Sequence, residues 1–176
     1  MEENCILNRY STSQKLLHKI ALSFSPLREI FFDLEKSFFL NEDYEINNRH
    51  VFISGMARSG TTILLNAIYE TNEFASLTYK DMPFILAPNI WSKLNEKRNL
   101  IDKHERAHND GIKIDTNSPE AFEEVFWKTF NDSESDTKNE FIGFIQLVCI
   151  KYRKQRYLSK NNQNIKRIEY LIKNFF

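Results

Sequence analysis

His50-Val51-Phe52-Ile53-Ser54-Gly55-Met56-Ala57-Arg58-Ser59-Gly60-Thr61-Thr62-Ile63-Leu64-Leu65 is the stretch on which the reading of this chain turns. Its first five residues are a short apolar run, which predicts a strand ending at Gly55. From Thr62 to Glu70, Ile63, Leu64, Ala67 and Ile68 are the apolar positions of an expected helix. Between the two lie Gly55 and Gly60, at the offset found in phosphate-binding loops. Glycines at those positions let the backbone come close to a ligand and turn its N–H groups inward. The start of a helix adds partial positive charge, so strand, loop and helix together form a nest for an anion.

Two features of the loop narrow the anion. Thr61 stands where a nucleotide triphosphatase carries lysine, and Thr62 stands at the Ser/Thr position. That lysine reaches the terminal phosphates, so its absence argues against ATP or GTP hydrolysis. A cation comes earlier instead, from Arg58. No nearby strand ends in the aspartate that would hold magnesium. The loop is therefore expected to bind its anion with amides, hydroxyls and one guanidinium, and without a metal. A small-molecule kinase with an altered loop is the competing reading, and it requires ATP and magnesium.

Outward from the loop, residues 11–40 read as two helices, the second opened by Pro26. They assign residues 1–49 to a helical segment packed on a domain formed by 50–176. Residues 74–80 read as a second strand, 81–88 as a connection broken by prolines, and 89–95 as a short helix. Residues 96–117, charged and polar, read as a surface excursion. Ser118-Pro119-Glu120 is a helix start, with Glu120, Glu123 and Glu124 as the acidic first turn of a helix reaching Phe130. A helix over 139–154 and a strand over 156–159 follow. Asn164 is expected to cap a last helix whose apolar face is Ile165, Ile168, Ile172 and Phe175. Helices alternating with short strands in this order indicate an α/β protein with a parallel sheet.

The bulk composition excludes some partners. With 176 residues, 41% hydrophobic and 27% charged, the chain can bury a real core. Its 24 acidic and 24 basic residues balance, so no polybasic surface points to nucleic acid or an anionic membrane. Cys5 and Cys149 have no metal-ligand spacing and read as thiols of a reducing compartment. The first residues, Met-Glu-Glu-Asn, are acidic and lack the apolar core of a signal peptide. The longest apolar stretch, Phe141–Ile150, falls short of the roughly 20 residues of a transmembrane helix. A cytoplasmic location is the expectation.

Ala57-Arg58-Ser59-Gly60-Thr61-Thr62 resembles the 5′-phosphosulfate loop of the sulfotransferase family. The resemblance, closest to bacterial sulfotransferase-like proteins, continues through Thr78-Tyr79-Lys80-Asp81-Met82-Pro83-Phe84, Arg106–Ile112, Ser118–Glu124 and Arg156–Asn161. It implies a P-loop-containing nucleoside triphosphate hydrolase-like three-layer fold. It also implies transfer of a sulfuryl group from 3′-phosphoadenosine 5′-phosphosulfate (PAPS) to a hydroxyl or amine on a small-molecule or glycan acceptor. Ala57, Arg58, Ser59, Gly60, Thr61 and Thr62 would hold the donor, and Arg58 would neutralise charge in the transition state. Asp81 is the first choice of general base and His108, near Asp110, the second. Lys160 would face donor or acceptor, or be a surface lysine. The family binds the donor's 3′-phosphate with a further strand, loop and helix, which do not follow Phe176 in this sequence. The expectation is a truncated chain, half of a split enzyme whose sheet a partner chain completes, or a non-catalytic remnant, with weak PAPS binding.

Overall fold

A computed structural model describes residues 24–40, 44–47, 49–95, 104–105, 113–114, 116–130 and 134–175. Helix α1 spans Ser25–Phe39, with proline in its first turn, as the sequence indicated for the second N-terminal helix. The first of that pair lies outside the described residues. Strand β1, Val51–Ile53, leads into α2, Thr61–Tyr69. Strand β2, Phe74–Ala75, is followed by a 3₁₀ turn at Tyr79–Asp81 and by α3, Pro88–Leu94. Two short strands, β3 at His104–Glu105 and β4 at Lys113–Ile114, pair antiparallel within the polar excursion. Then come α4 (Glu124–Trp127), α5 (Glu134–Tyr152), β5 (Arg156–Lys160), a 3₁₀ helix at Asn162–Arg167, and α6 (Ile168–Phe175).

The molecule is α/β, with a three-stranded parallel sheet in the order β1-β5-β2. Residues alternate faces along a strand, and the register Val51↔Leu158, Phe52↔Ser159, Ile53↔Lys160 fixes which share a face. On one face Ile53, Phe74 and Leu158 pack with Leu65 of α2. On the other, Phe52, Ala75 and Tyr157 meet Phe141, Phe144, Leu147 and Val148 of α5. Aromatic rings fill this second core. Phe126 stacks on Phe144 at 5.1 Å, and Phe32 of α1 lies 5.0 Å from Phe130. Cys149 is fully buried there, and burial pushes its thiol up to about 12.

Long-range polar contacts fasten the helices around this core. Glu35 of α1 is fully buried and accepts from the backbone N–H groups of Asn89 (2.6 Å) and Ile90 (2.9 Å) and from the Asn89 amide. It thus caps α3 from another helix, satisfying donors that the first turn leaves unpaired. Burial holds the Glu35 carboxyl above its usual range, against the pull of these hydrogen bonds. No helix among the described residues is long and apolar enough to cross a membrane.

Four local expectations are corrected. The second strand is only Phe74–Ala75, because Thr78 and Asp81 form a reciprocal capping box that turns the chain into 3₁₀ geometry. Ser118–Glu120 does not open a helix. The Ser118 carbonyl accepts from Tyr79, Pro119 bridges to Thr78, and the Glu120 N–H donates to Leu77, so α4 starts only at Glu124. The helix expected over 139–154 already begins at Glu134. At the other end Asn161, not Asn164, caps, accepting from Gln163 N at 2.9 Å. The intervening 3₁₀ helix turns three residues per turn rather than 3.6 and so rotates α6 away from the expected face. Leu171 is buried, while Ile165, Ile168 and Ile172 are about half exposed.

Candidate functional site

The loop after β1 is exposed from Met56 through Gly60 and half-buried at Thr61 and Thr62. Two of its residues have left-handed backbone, Arg58 at φ 63° and Gly60 at φ 81°. Gly60 is the N-cap of α2 and adopts this conformation at no steric cost. Arg58 has a Cβ, and the conformation costs it about 1–2 kcal/mol. Ser59 pins the turn, its N–H and hydroxyl both donating to the Met56 carbonyl, at 3.3 and 2.7 Å. Gly55 is required by proximity. A Cβ there would lie 2.8 Å from Thr61 Cγ2 and 3.0 Å from Ser59 Oγ. The result is a tight loop whose ends touch, set on the first turn of α2, where helical N–H groups point outward.

β5 places a cation beside this loop. Lys160 is its last residue and stands in register with Ile53, two residues before Gly55. The strands are parallel, so their C-terminal ends lie at the same sheet edge, where ligands of open α/β sheets bind. Lys160 is 7% exposed, and its Nζ donates to Thr62 Oγ1 at 3.1 Å and to Glu120 Oε1 at 3.3 Å. Glu120 also accepts from its neighbour's N–H at Ala121 (2.9 Å) and from the Tyr79 hydroxyl (3.2 Å). Of the donor and acceptor readings for Lys160 and a plain surface lysine, burial excludes the last.

Asp81 sits in a different setting. It is 0% exposed, and one carboxylate oxygen accepts from the Thr78 N–H at 2.7 Å and the Tyr152 hydroxyl at 2.7 Å. The other oxygen accepts from Lys151 of α5. These are the contacts of a carboxylate that holds a turn against a helix. His108 and Asp110 lie outside the described residues.

The three glutamates read as one acidic turn have separate roles. Glu120 pairs with Lys160. Glu123, 1% exposed, accepts from Trp127 Nε1 (2.8 Å), Asn164 Nδ2 (2.9 Å) and the Tyr157 hydroxyl (3.3 Å), and so ties α4, β5 and the last 3₁₀ helix together. Glu124 accepts from Arg167 and Asn161. Burial pushes its carboxyl up, but these hydrogen bonds together with the charge of Arg167 hold it below the usual value. Periodicity could not reveal the Glu120–Lys160 pair, because its members are 40 residues apart in sequence. The strand register alone could have placed Lys160 at the loop. Among the described residues no group of three metal-binding side chains comes together.

No family model, curated protein or solved structure matches the chain.

Proposed function

We propose that this protein belongs to the PAPS-dependent sulfotransferases, with a P-loop-like donor site at 55–62. The observation that carries the reading is the composition of the loop. Thr61 replaces the nucleotide-triphosphatase lysine, Arg58 supplies charge upstream, and Gly55 and Gly60 occupy the two positions where a side chain would clash or strain. That donor set fits a phosphosulfate, an anion held by amides, hydroxyls and a guanidinium.

In this reading an acceptor oxygen or nitrogen attacks the sulfur in line. The bond from sulfur to the bridging oxygen of the 5′-phosphate breaks, and adenosine 3′,5′-bisphosphate leaves. The chain's part is to orient the donor and stabilise charge on the leaving phosphate. Amides of 59–62 and the Arg58 guanidinium perform it. The acceptor's proton passes to His108, since both oxygens of Asp81 are engaged in the core. The acceptor is a small molecule or glycan held by the loops of 81–117, and a partner chain extends the sheet. The location is cytoplasmic.

The test uses purified protein, radiolabelled PAPS and a panel of alcohols, amines and sugars, beside calorimetry with adenosine 3′,5′-bisphosphate. Transfer, with binding lost in Arg58→Ala, is the expected result. Binding without transfer to any acceptor makes the chain a non-catalytic nucleotide-binding module. Magnesium-dependent ATP binding with none of the bisphosphate would overturn the reading in favour of a kinase.

A further inference from the structure

We propose that Lys160 is the second cation of the anion site and that Glu120 is its internal competitor, so that this carboxylate sets how tightly the loop holds its ligand. The inference rests on the donor-site reading above and adds a regulator to it.

Four observations carry it. Lys160 reaches the loop from a different strand, with its Nζ 3.1 Å from the Thr62 hydroxyl at the first turn of α2. Its side chain is 9% exposed and that of Glu120 11%, so the charges interact with little screening by solvent. An ammonium has three donors. Among the described residues Thr62 and Glu120 take two of them, leaving one for a ligand oxygen. Glu120 is itself fixed, by the Ala121 N–H and the Tyr79 hydroxyl, and cannot swing away when an anion arrives.

The consequence is a competition. A dianion in the loop attracts the Lys160 ammonium and repels the Glu120 carboxylate a few ångströms beyond it. Removing the carboxylate's charge while keeping its shape therefore frees the ammonium for the ligand and removes the repulsion. A pair that served only to fasten β5 to the 118–121 turn would behave in the opposite way. Losing its charge would loosen the fold and tighten nothing.

The experiment is calorimetric titration of the full chain with adenosine 3′,5′-bisphosphate and, separately, with inorganic pyrophosphate. Glu120→Gln is expected to bind several-fold more tightly than the natural protein. Lys160→Met is expected to lose about tenfold or more, the usual effect of one charged hydrogen bond, and Lys160→Arg to recover most of it. Melting curves report whether each variant is folded. If Lys160→Met does not fold, Glu120→Gln still decides. Equal or weaker binding by Glu120→Gln overturns the proposal. A natural protein that binds neither ligand overturns the donor-site reading and this proposal together. Binding that Arg58→Ala abolishes, but that Glu120→Gln and Lys160→Met leave unchanged, overturns this proposal alone.

Discussion

Two buried lysine–carboxylate pairs flank the same 3₁₀ turn and do different work. Lys151 with Asp81 lies on the α5 side, and Lys160 with Glu120 lies at the loop. Both are nearly closed to solvent. In the first, the carboxylate is 0% exposed and shares its remaining lone pairs with a backbone amide and a phenol. Its lysine also lies over the Tyr152 ring, 5.4 Å from the centroid, so its contacts too are internal. In the second, the lysine also touches Thr62, half-buried in the first turn of α2 beside the exposed loop. The same two functional groups thus make a rivet where every partner is internal, and an adjustable contact where one partner can be a ligand. A buried pair does little net work when it is intact and costs a great deal when it is half removed.

The contrast is broken most directly by Asp81→Ala. It leaves Lys151 charged and unpaired and strips the capping box from Thr78, and should cost about 3–5 kcal/mol in urea unfolding. Glu120→Gln, which keeps an acceptor for Lys160, should cost far less. Equal costs would mean that the two pairs are both rivets. Gly55→Ala sharpens the loop side. The added Cβ meets Thr61 Cγ2 at 2.8 Å, and the expected penalty is about 1–3 kcal/mol, together with loss of bisphosphate binding. Arg58→Gly separates stability from binding. Relief of the left-handed strain, about 1–2 kcal/mol, offsets the entropy of glycine, about 0.5–1 kcal/mol. Unfolding should show a small net gain, while calorimetry shows a loss of ligand affinity.

The smallest effect concerns pH and comes from the sheet rather than from either pair. His50 is buried, its Nδ1 accepts from the Tyr157 N–H at 3.1 Å, and burial with the nearby Arg156 charge lowers its pKa to about 4. The unfolded chain takes up this proton near pH 6.5 and the folded chain only near 4. Between those values the unfolded state binds more protons, so stability falls as the pH falls. Denaturation midpoints over that range should decline less steeply in His50→Gln than in the natural protein. Parallel slopes would show that the buried imidazole is not responsible.

Much of the frame was legible because it is local. The apolar run before Gly55, the helix after Gly60 and the strand at Arg156 are written in periodicity, and the structure has them at Val51–Ile53, Thr61–Tyr69 and Arg156–Lys160. What was not legible depends on contacts between distant segments. Ser118-Pro119-Glu120 carries the signals of a helix start, yet its backbone is committed to residues 77–79. Asp81 invited a catalytic reading because it follows a strand, and only the fold reveals Lys151 and Tyr152 behind it. The last helix keeps its apolar residues but leaves Ile168 and Ile172 about half exposed while Leu171 and Phe175 pack inward, since the 3₁₀ segment before it resets the phase. Local pattern thus places the elements around the loop, while contacts between distant segments decide whether a helix signal such as that at Ser118 is used and which way side chains face.

The thiol of Cys149 gives this chain its own stopwatch. It is sealed between α5 and the sheet and resists ionisation, with its pKa pushed up to about 12. An alkylating reagent therefore reacts with it only in the moments when that layer lifts. With Cys5 replaced by serine, the rate of labelling at this single thiol counts those openings. Any ligand that grips the loop should lengthen the interval between them.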